Sequence, residues 1–305
     1  MTDSAPFDEA LSALYAALAA GKPGSLPLPD RAAWQVTGAD RARYLNGQVT
    51  HDVAKLVPGR SLYAAALTGK GKIVGDLFIA AAPDCLLLDA PLPLRETLRA
   101  RLEKFLIADD AEFHDVTETG RLSHVFGAEK PPEAPGRIVS ANARFGLPGF
   151  DVWQEGPEPF LTGAAVPEAL ADLFRIEHGL ALWGREIDEN TLPQEALLDR
   201  DGRGLSYEKG CYVGQETVAR IRSIGHVNRK LAVVEQLGAP EEAAPGLKLE
   251  AGGEEAGRIT SAAFSPLRKS TVALAYLGKK FYGGGPDLEL SGGGRRWRIV
   301  PPLRK

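Results

Sequence analysis

The sequence predicts an α+β protein that closes with a small all-β unit, and three observations carry that expectation. A chain of 305 residues is long enough for two or three domains, each with its own core. Strand-like and helix-like runs alternate at short intervals as far as about Trp183, without the long regular crossovers of a doubly wound α/β fold. From about Lys230 short apolar runs at 231–234, 272–277 and 297–300 are separated by the turn sequences "AGGEEAGR", "FYGGGPD" and "SGGGRR". Short strands punctuated by glycine make a barrel or a sandwich.

The elements follow in chain order. Phe7, Leu11, Leu14, Tyr15 and Leu18 form a helical stripe with Asp8 and Glu9 in the first turn, so an amphipathic helix is expected from near Ser4 to Gly21. "GKPGSLPLPD" is a loop by its Pro and Gly content, and 32–36 is a strand. "GADRARYLNGQ" is a short helix, capped at Thr37 or Asp40. Strands are expected at 62–67, 73–80 and 85–90, then a helix behind Pro93 carrying Leu94, Leu98, Leu102, Phe105 and Leu106. "GKGKIVG" (69–75) is a tight turn entering a strand, since its glycines lack dinucleotide spacing. "GAEKPPEAPGR" is a surface excursion before a second α+β stretch.

Composition excludes several classes of function. With 44% hydrophobic and 25% charged residues and a net charge of −4, the chain is not basic as a whole and nucleic-acid coating is not the default, though local basic patches are allowed. Two cysteines, Cys85 and Cys211, are too few for a disulfide framework or a resident four-ligand zinc or iron–sulfur site. Lone thiols suit a reducing compartment. The N-terminus lacks the basic start of a signal peptide and no apolar run reaches membrane-spanning length, so a cytoplasmic protein is expected. GxSxG, HExxH and Walker A motifs are absent, so none of those chemistries is indicated.

Three features can carry chemistry. The first is Cys211 in "SYEKGCYVGQETVAR". Gly210 and Gly214 permit unusual backbone conformations and close approach, and "GQETVARI" opens a helix with Glu216 in its first turn. Helix N–H groups and Lys209 would enrich the thiolate; a packed, inert thiol fits the residues equally well. Cys85, at the head of "CLLLDA", reads as core. The second feature is a pair of carboxylates in apolar elements. Glu177 shares a helical face with Leu170, Leu173 and Phe174, and Asp76 lies in the strand "IVGDLFIA". Each needs a buried Arg or a ligand's donors, and two such groups suit a pocket for a hydrogen-bonding heterocycle. The third is the basic stretch "ARIRSIGHVNRK" with Arg220, Arg222, Arg229 and Lys230, a solvated face or a site for an anionic tail, phosphate or RNA.

"KGCYVGQE", comprising Lys209, Gly210, Cys211, Tyr212, Gly214, Gln215 and Glu216, resembles the signature of the YgfZ-type folate-binding proteins, relatives of the glycine-cleavage T-protein (aminomethyltransferase). "FRIEHGLALWGREIDENTLPQEA" resembles that superfamily's RxExG segment. "GRITSAAFSPLRKSTVALAYL" resembles its C-terminal segment, and "VTGADRARYLNGQVTHDV" its N-terminal one. The resemblance spans most of the chain in order. It implies a T-protein-like ring of two α+β domains and a C-terminal β-barrel around a central folate channel. Its first domain would comprise 1–45 and 118–200, its second 46–117, a motif-bearing connection 201–228 and its barrel 229–305.

Tetrahydrofolate or a derivative is the implied cofactor. Glu177 would be its pterin ligand, Asp76 a functional aspartate, Arg185 a further folate contact, and Cys211 the family's cysteine, with Arg220 completing the motif. The implied role is that of an accessory factor for iron–sulfur cluster assembly or repair, supporting cluster enzymes including tRNA-modifying ones. It would be monomeric, contact iron–sulfur proteins or assembly factors transiently, and bind neither membrane nor nucleic acid directly. A folate-dependent one-carbon transferase or demethylase using Asp76 is the alternative. The motif occupies a region where aminomethyltransferases differ, which argues against glycine cleavage itself.

Overall fold

A computed structural model describes residues 9–304. Its strands form two five-stranded sheets and a closed six-stranded barrel, in keeping with the expected α+β architecture and β-rich C-terminus. The first helix, Glu9–Ala19, buries Tyr15 and Leu18; the expected start near Ser4 and the stripe position Phe7 lie outside the described residues.

The N-terminal sheet has the order Ala164–Ala165, Gly24–Pro27, Gly120–Phe126, Gly149–Glu155, Arg137–Asn142. The middle sheet has the order Ser61–Leu67, Ile73–Ala81, Leu86–Pro91, Arg31–Thr37, Glu112–Asp115, antiparallel throughout. The strand Arg31–Thr37, which the sequence reading groups with the first domain, is thus hydrogen-bonded within the middle sheet. Local pattern marks Trp34 and Val36 as core but carries no information about which neighbour an antiparallel strand will choose.

Side-chain alternation sorts the middle sheet's two faces. One face (Trp34, Ala64, Ala66, Leu77, Ile79, Leu88) packs on Tyr44 and Leu45 of the helix Arg41–Gln48 and on Leu98 and Leu102 of the helix Arg95–Glu103. The other face presents Tyr63, Ala65, Leu67 and Phe78 to Ile187, Leu198, Leu205, Tyr212 and Val218 from the connection before the barrel. The helix Arg41–Gln48 lacks the expected side-chain cap. Asp40 instead accepts the Asp110 N–H at 3.0 Å and pairs with Arg43, which ties two loops together.

In the barrel, Arg229–Leu237, Ser270–Gly278, Glu254–Ser265, Lys248–Ala251, Glu289–Gly292 and Arg295–Val300 close on one another. Trp297, Leu290, Leu249, Ile259 and Val234 fill its interior. The outer residues Leu231, Val233, Val272 and Leu274 pack on the helix Glu168–Glu177. Burial on both faces explains why 270–277 reads as an almost continuous apolar run.

An ion bridge joins the two sheets. Arg144 Nη2 reaches Asp89 of the middle sheet at 2.8 Å and Asp151 of the N-terminal sheet at 2.7 Å, and its guanidinium lies 3.8 Å over the Phe78 ring. Asp151 also bonds His124 Nδ1 at 2.8 Å. Burial alone would raise the Asp151 carboxyl, but Arg144 and His124 overcome it and hold it down at about 2. Its stabilising charge is therefore fully present above the unfolded carboxylate range and is lost as pH falls from about 4 toward 2. Asp151→Asn is expected to cost about 3–5 kcal/mol in urea unfolding at pH 7, because a buried arginine loses a partner. The gap from wild type should narrow as pH drops through that window.

Candidate functional site

A cavity of about 870 Å³ opens where the two sheets meet the connection and the C-terminal tail. Leu62, Tyr63 and Phe78 line it from the middle sheet, Asn142 and Phe150 from the N-terminal sheet, and His178, Arg200, Arg203 and Arg304 from the remaining side. Tyr63 and Phe78 are directly opposed in the ladder, with ring centroids 5.0 Å apart. Two residues before Phe78, on the same strand face, lies Asp76.

Asp76 is 5% exposed. Its Oδ2 accepts the Tyr63 hydroxyl at 2.8 Å, while its Oδ1 is buried without any hydrogen-bond partner. Burial raises its pKa, with Arg31 pulling the other way. Arg203 stands 5.1 Å over the Tyr63 ring, and burial lowers its pKa to about 10. The sequence expectation of a buried carboxylate in need of a partner is therefore met by one tyrosine and one open oxygen.

Glu177 is different. Fully buried, it accepts the Tyr15 hydroxyl at 2.9 Å on one oxygen and the Ser265 hydroxyl on the other. Burial raises its pKa. Its partners thus come from the N-terminal helix and the barrel, and it is not among the residues lining the cavity. Arg185, the third expected folate contact, pairs with Asp172 at 2.9 Å on the surface and borders a separate groove beside the barrel. The reason is positional: the loop after the helix Glu168–Glu177 turns toward the barrel. There the neighbouring Glu186 accepts bonds from Arg175 at 3.0 Å and Ser261 at 2.6 Å.

The "KGCYVGQE" segment clamps the middle sheet's edge. Lys209 is 8% exposed, and its Nζ donates to the carbonyls of Asn46, Val49 and His51 around the end of the helix Arg41–Gln48. A cation there also complements the helix dipole. Burial lowers its pKa to about 8. Its three donors are directed at those carbonyls.

Val213 N–H bonds Gly47 O, and Tyr212 N–H bonds the Gln215 side chain at 3.3 Å. Gly214 has φ +87°, and a Cβ there would sit 2.6 Å from Thr68 O, so glycine is required twice over. Gly210 has open space around it and no positive φ, so the expected backbone demand holds at Gly214 alone. The helix Gln215–Ile224 follows as expected, with Glu216 and Arg220 exposed. Tyr212 enters the same apolar cluster as Tyr63 and Phe78, while Cys211 itself is exposed. Cys85 is buried, and burial raises its thiol pKa. The basic stretch is divided: Arg222 stacks on Tyr207 at 4.0 Å, whereas Arg229 stacks on Tyr276 and pairs with Glu195.

No protein-family model matches the chain. The aminomethyltransferase of Rubrobacter xylanophilus is 29% identical over 81% of this chain and 74% of its own. An iron-sulfur cluster assembly factor IBA57 homolog, mitochondrial, from Chaetomium globosum is 28% identical over 76% of this chain, which spans 59% of that longer relative. The tRNA-modifying protein YgfZ of Escherichia coli O157:H7 is 31% identical over 68% of this chain and 70% of its own. The chain belongs to the YgfZ family.

Its fold is that of the aminomethyltransferases: 98% of the chain matches 90% of glycine cleavage system aminomethyltransferase T from Bartonella henselae, with TM-score 0.77 and 19% identity. In this YgfZ-family chain Tyr63 and Phe78 line the cavity and Asp76 stands behind them, bonded to the Tyr63 hydroxyl, while Asp76, Glu177 and Arg185 are all outside the lining. Tyr63, Phe78, Arg203 and Arg144 were not singled out by sequence. Strand alternation places Tyr63 and Phe78 on faces, but nothing local marks Arg203.

Two outcomes are expected of the motif. Native protein should react with one equivalent of a thiol reagent, through Cys211, and with a second only after unfolding; Cys211→Ala should leave none reactive in the native state. Lys209→Met, which strips a charged donor from three carbonyls, should cost roughly 2–3 kcal/mol in denaturant unfolding.

Proposed function

We propose that this chain is a tetrahydrofolate-binding factor acting in iron–sulfur cluster assembly or repair. The observation that carries the folate part is the unpartnered Asp76 Oδ1, buried behind Tyr63, whose ring lines the cavity together with that of Phe78. A pterin presents ring N–H donors in a flat apolar frame. Tyr63 and Phe78 offer the apolar surface, and the Asp76 carboxylate offers the acceptor. A bound tetrahydrofolate would supply a nitrogen able to carry a one-carbon group. The cavity, at about 870 Å³, is large enough for a drug-sized heterocycle.

The cluster part rests on relatives named for iron–sulfur cluster assembly and tRNA modification, and on the exposed Cys211. Among the described residues no group of three or more His, Cys, Asp or Glu side chains could hold a metal. A single exposed thiol can donate one ligand to a cluster in transit, and the remaining ligands must come from the client. Tyr212, next to Cys211, packs against the cavity's own aromatic residues, so an occupied cavity and an ordered Cys211 loop share one apolar support.

Titration with tetrahydrofolate tests the pocket: Asp76→Ala should weaken binding by at least about ten-fold. Glu177→Gln should instead lower stability by about 1–3 kcal/mol through its bonds to Tyr15 and Ser265, with less effect on affinity. Undiminished binding by Asp76→Ala would remove the pocket assignment. In cells lacking the native gene, a folded Cys211→Ala variant should fail to restore cluster-dependent enzyme activity.

A second reading, a folate-dependent one-carbon transferase, is favoured by one observation. Burial raises the pKa of the Asp76 carboxyl, the direction that makes a carboxylate a better proton acceptor. Turnover lost in Asp76→Asn and kept in Cys211→Ala would select it.

A further inference from the structure

A second cavity, an open groove of about 770 Å³, runs along the outside of the barrel and shares no lining residue with the main one. Two residues that the sequence singled out and the main cavity leaves unused, Arg185 and Arg229, meet in it. Arg258 is the third cation of its lining, and Glu255 is the one acid there among the described residues. Gly184, Gly246, Gly257 and Gly278 also line the groove and put no side chain into it.

The three arginines converge on Tyr276. Arg229 lies over the Tyr276 ring, its guanidinium carbon 4.4 Å from the centroid. Arg258 is directly opposite Tyr276 in the ladder between the strands Glu254–Ser265 and Ser270–Gly278. Arg185 precedes Glu186, whose carbonyl accepts the Tyr276 hydroxyl at 2.8 Å. Each guanidinium gives one nitrogen to a carboxylate: Arg185 Nη1 to Asp172 at 2.9 Å, Arg229 Nε to Glu195 at 3.4 Å, and Arg258 Nε to Glu255 at 3.1 Å. Those bonds fix the forks, and the other nitrogens of all three have no hydrogen-bond partner among the described residues. Asp172 and Glu195 stand outside the lining, so the groove itself is cationic.

We propose that this groove binds a nucleoside phosphate, its base stacked on Arg229 and its phosphate oxygens held by Arg185 and Arg258. A guanidinium laid flat on an aromatic ring keeps its second face for another planar group. Free arginine N–H donors match phosphate oxygens in pairs. A dicarboxylate would answer the charge and leave the stacking face empty. A ligand that carries both a planar ring and phosphate uses both features, and the groove is large enough for one nucleotide.

The test is calorimetric titration of the full chain with ADP, inorganic pyrophosphate and a short ribo-oligonucleotide. ADP is expected to bind more tightly than pyrophosphate, with an affinity that falls as salt rises. Arg258→Gln, at an exposed strand position, should weaken ADP at least about five-fold. Arg229→Gln should weaken ADP and also erase its advantage over pyrophosphate, since the stacking face is lost. Arg304→Gln, which alters the main cavity alone, should leave ADP affinity unchanged and so separates the two sites. Absence of ADP binding, or an ADP affinity unchanged in both folded groove variants, overturns the proposal. So does a loss in Arg304→Gln equal to that in Arg258→Gln, which would put ADP in the main cavity. Binding of the oligonucleotide without ADP overturns it in favour of an RNA surface.

Discussion

The arginine bridge between the sheets is the constraint on which the candidate site depends. Arg144 is buried with Asp89 on one side and Asp151 on the other, and its face covers Phe78. Such a bridge adds little net stability over an apolar joint, because desolvation offsets attraction. What it provides is registration. Two charged partners in different sheets allow few relative placements, and the cavity lies along that joint. His124 extends the network and turns it into an ordered polar seam through otherwise apolar layers.

The same economy recurs around the barrel. Arg175, Glu177 and Glu186 leave one short segment and bond Ser261, Ser265 and Tyr15. Glu177 and Glu186 both have hydrogen-bond partners on the barrel, so both carboxylates fasten it to the preceding segment. Asp76 is the exception, since half of its carboxylate has no internal partner. Satisfaction of a buried polar group by the fold itself separates a fastener from a site.

The cysteine segment acquires a structural meaning as well as a chemical one. Lys209 and Gly214 lock it onto the turns at 46–51 and 67–68, so Cys211 is presented from a fixed base and not from a loose loop. Its neighbour Tyr212 points the other way, into the cluster beneath the cavity. Exposed thiol and buried aromatic, side by side, link the surface to the pocket.

Much of this was legible in the residues. Helical stripes and strand alternation located the first helix and most strands of the middle sheet within a few positions, because those periodicities reflect local backbone geometry; the strand Gly24–Pro27, read as a loop from its Pro and Gly content, did not show. The motif order along the chain was enough to indicate the family. Cys85 as core and the helix opening at Gln215 follow from apolar runs and glycine placement, whereas the exposure of Cys211 came only from the structure. Partner choice was not legible. Whether Arg31–Thr37 joins the first or the second sheet, which carbonyls Lys209 reaches, and which hydroxyls Glu177 accepts are decided by contacts between residues far apart in sequence. The sequence by itself determined which groups must be buried and which must find a partner. Only the tertiary structure decided which partner each one found, since that depends on the through-space packing of distant segments and not on any local period.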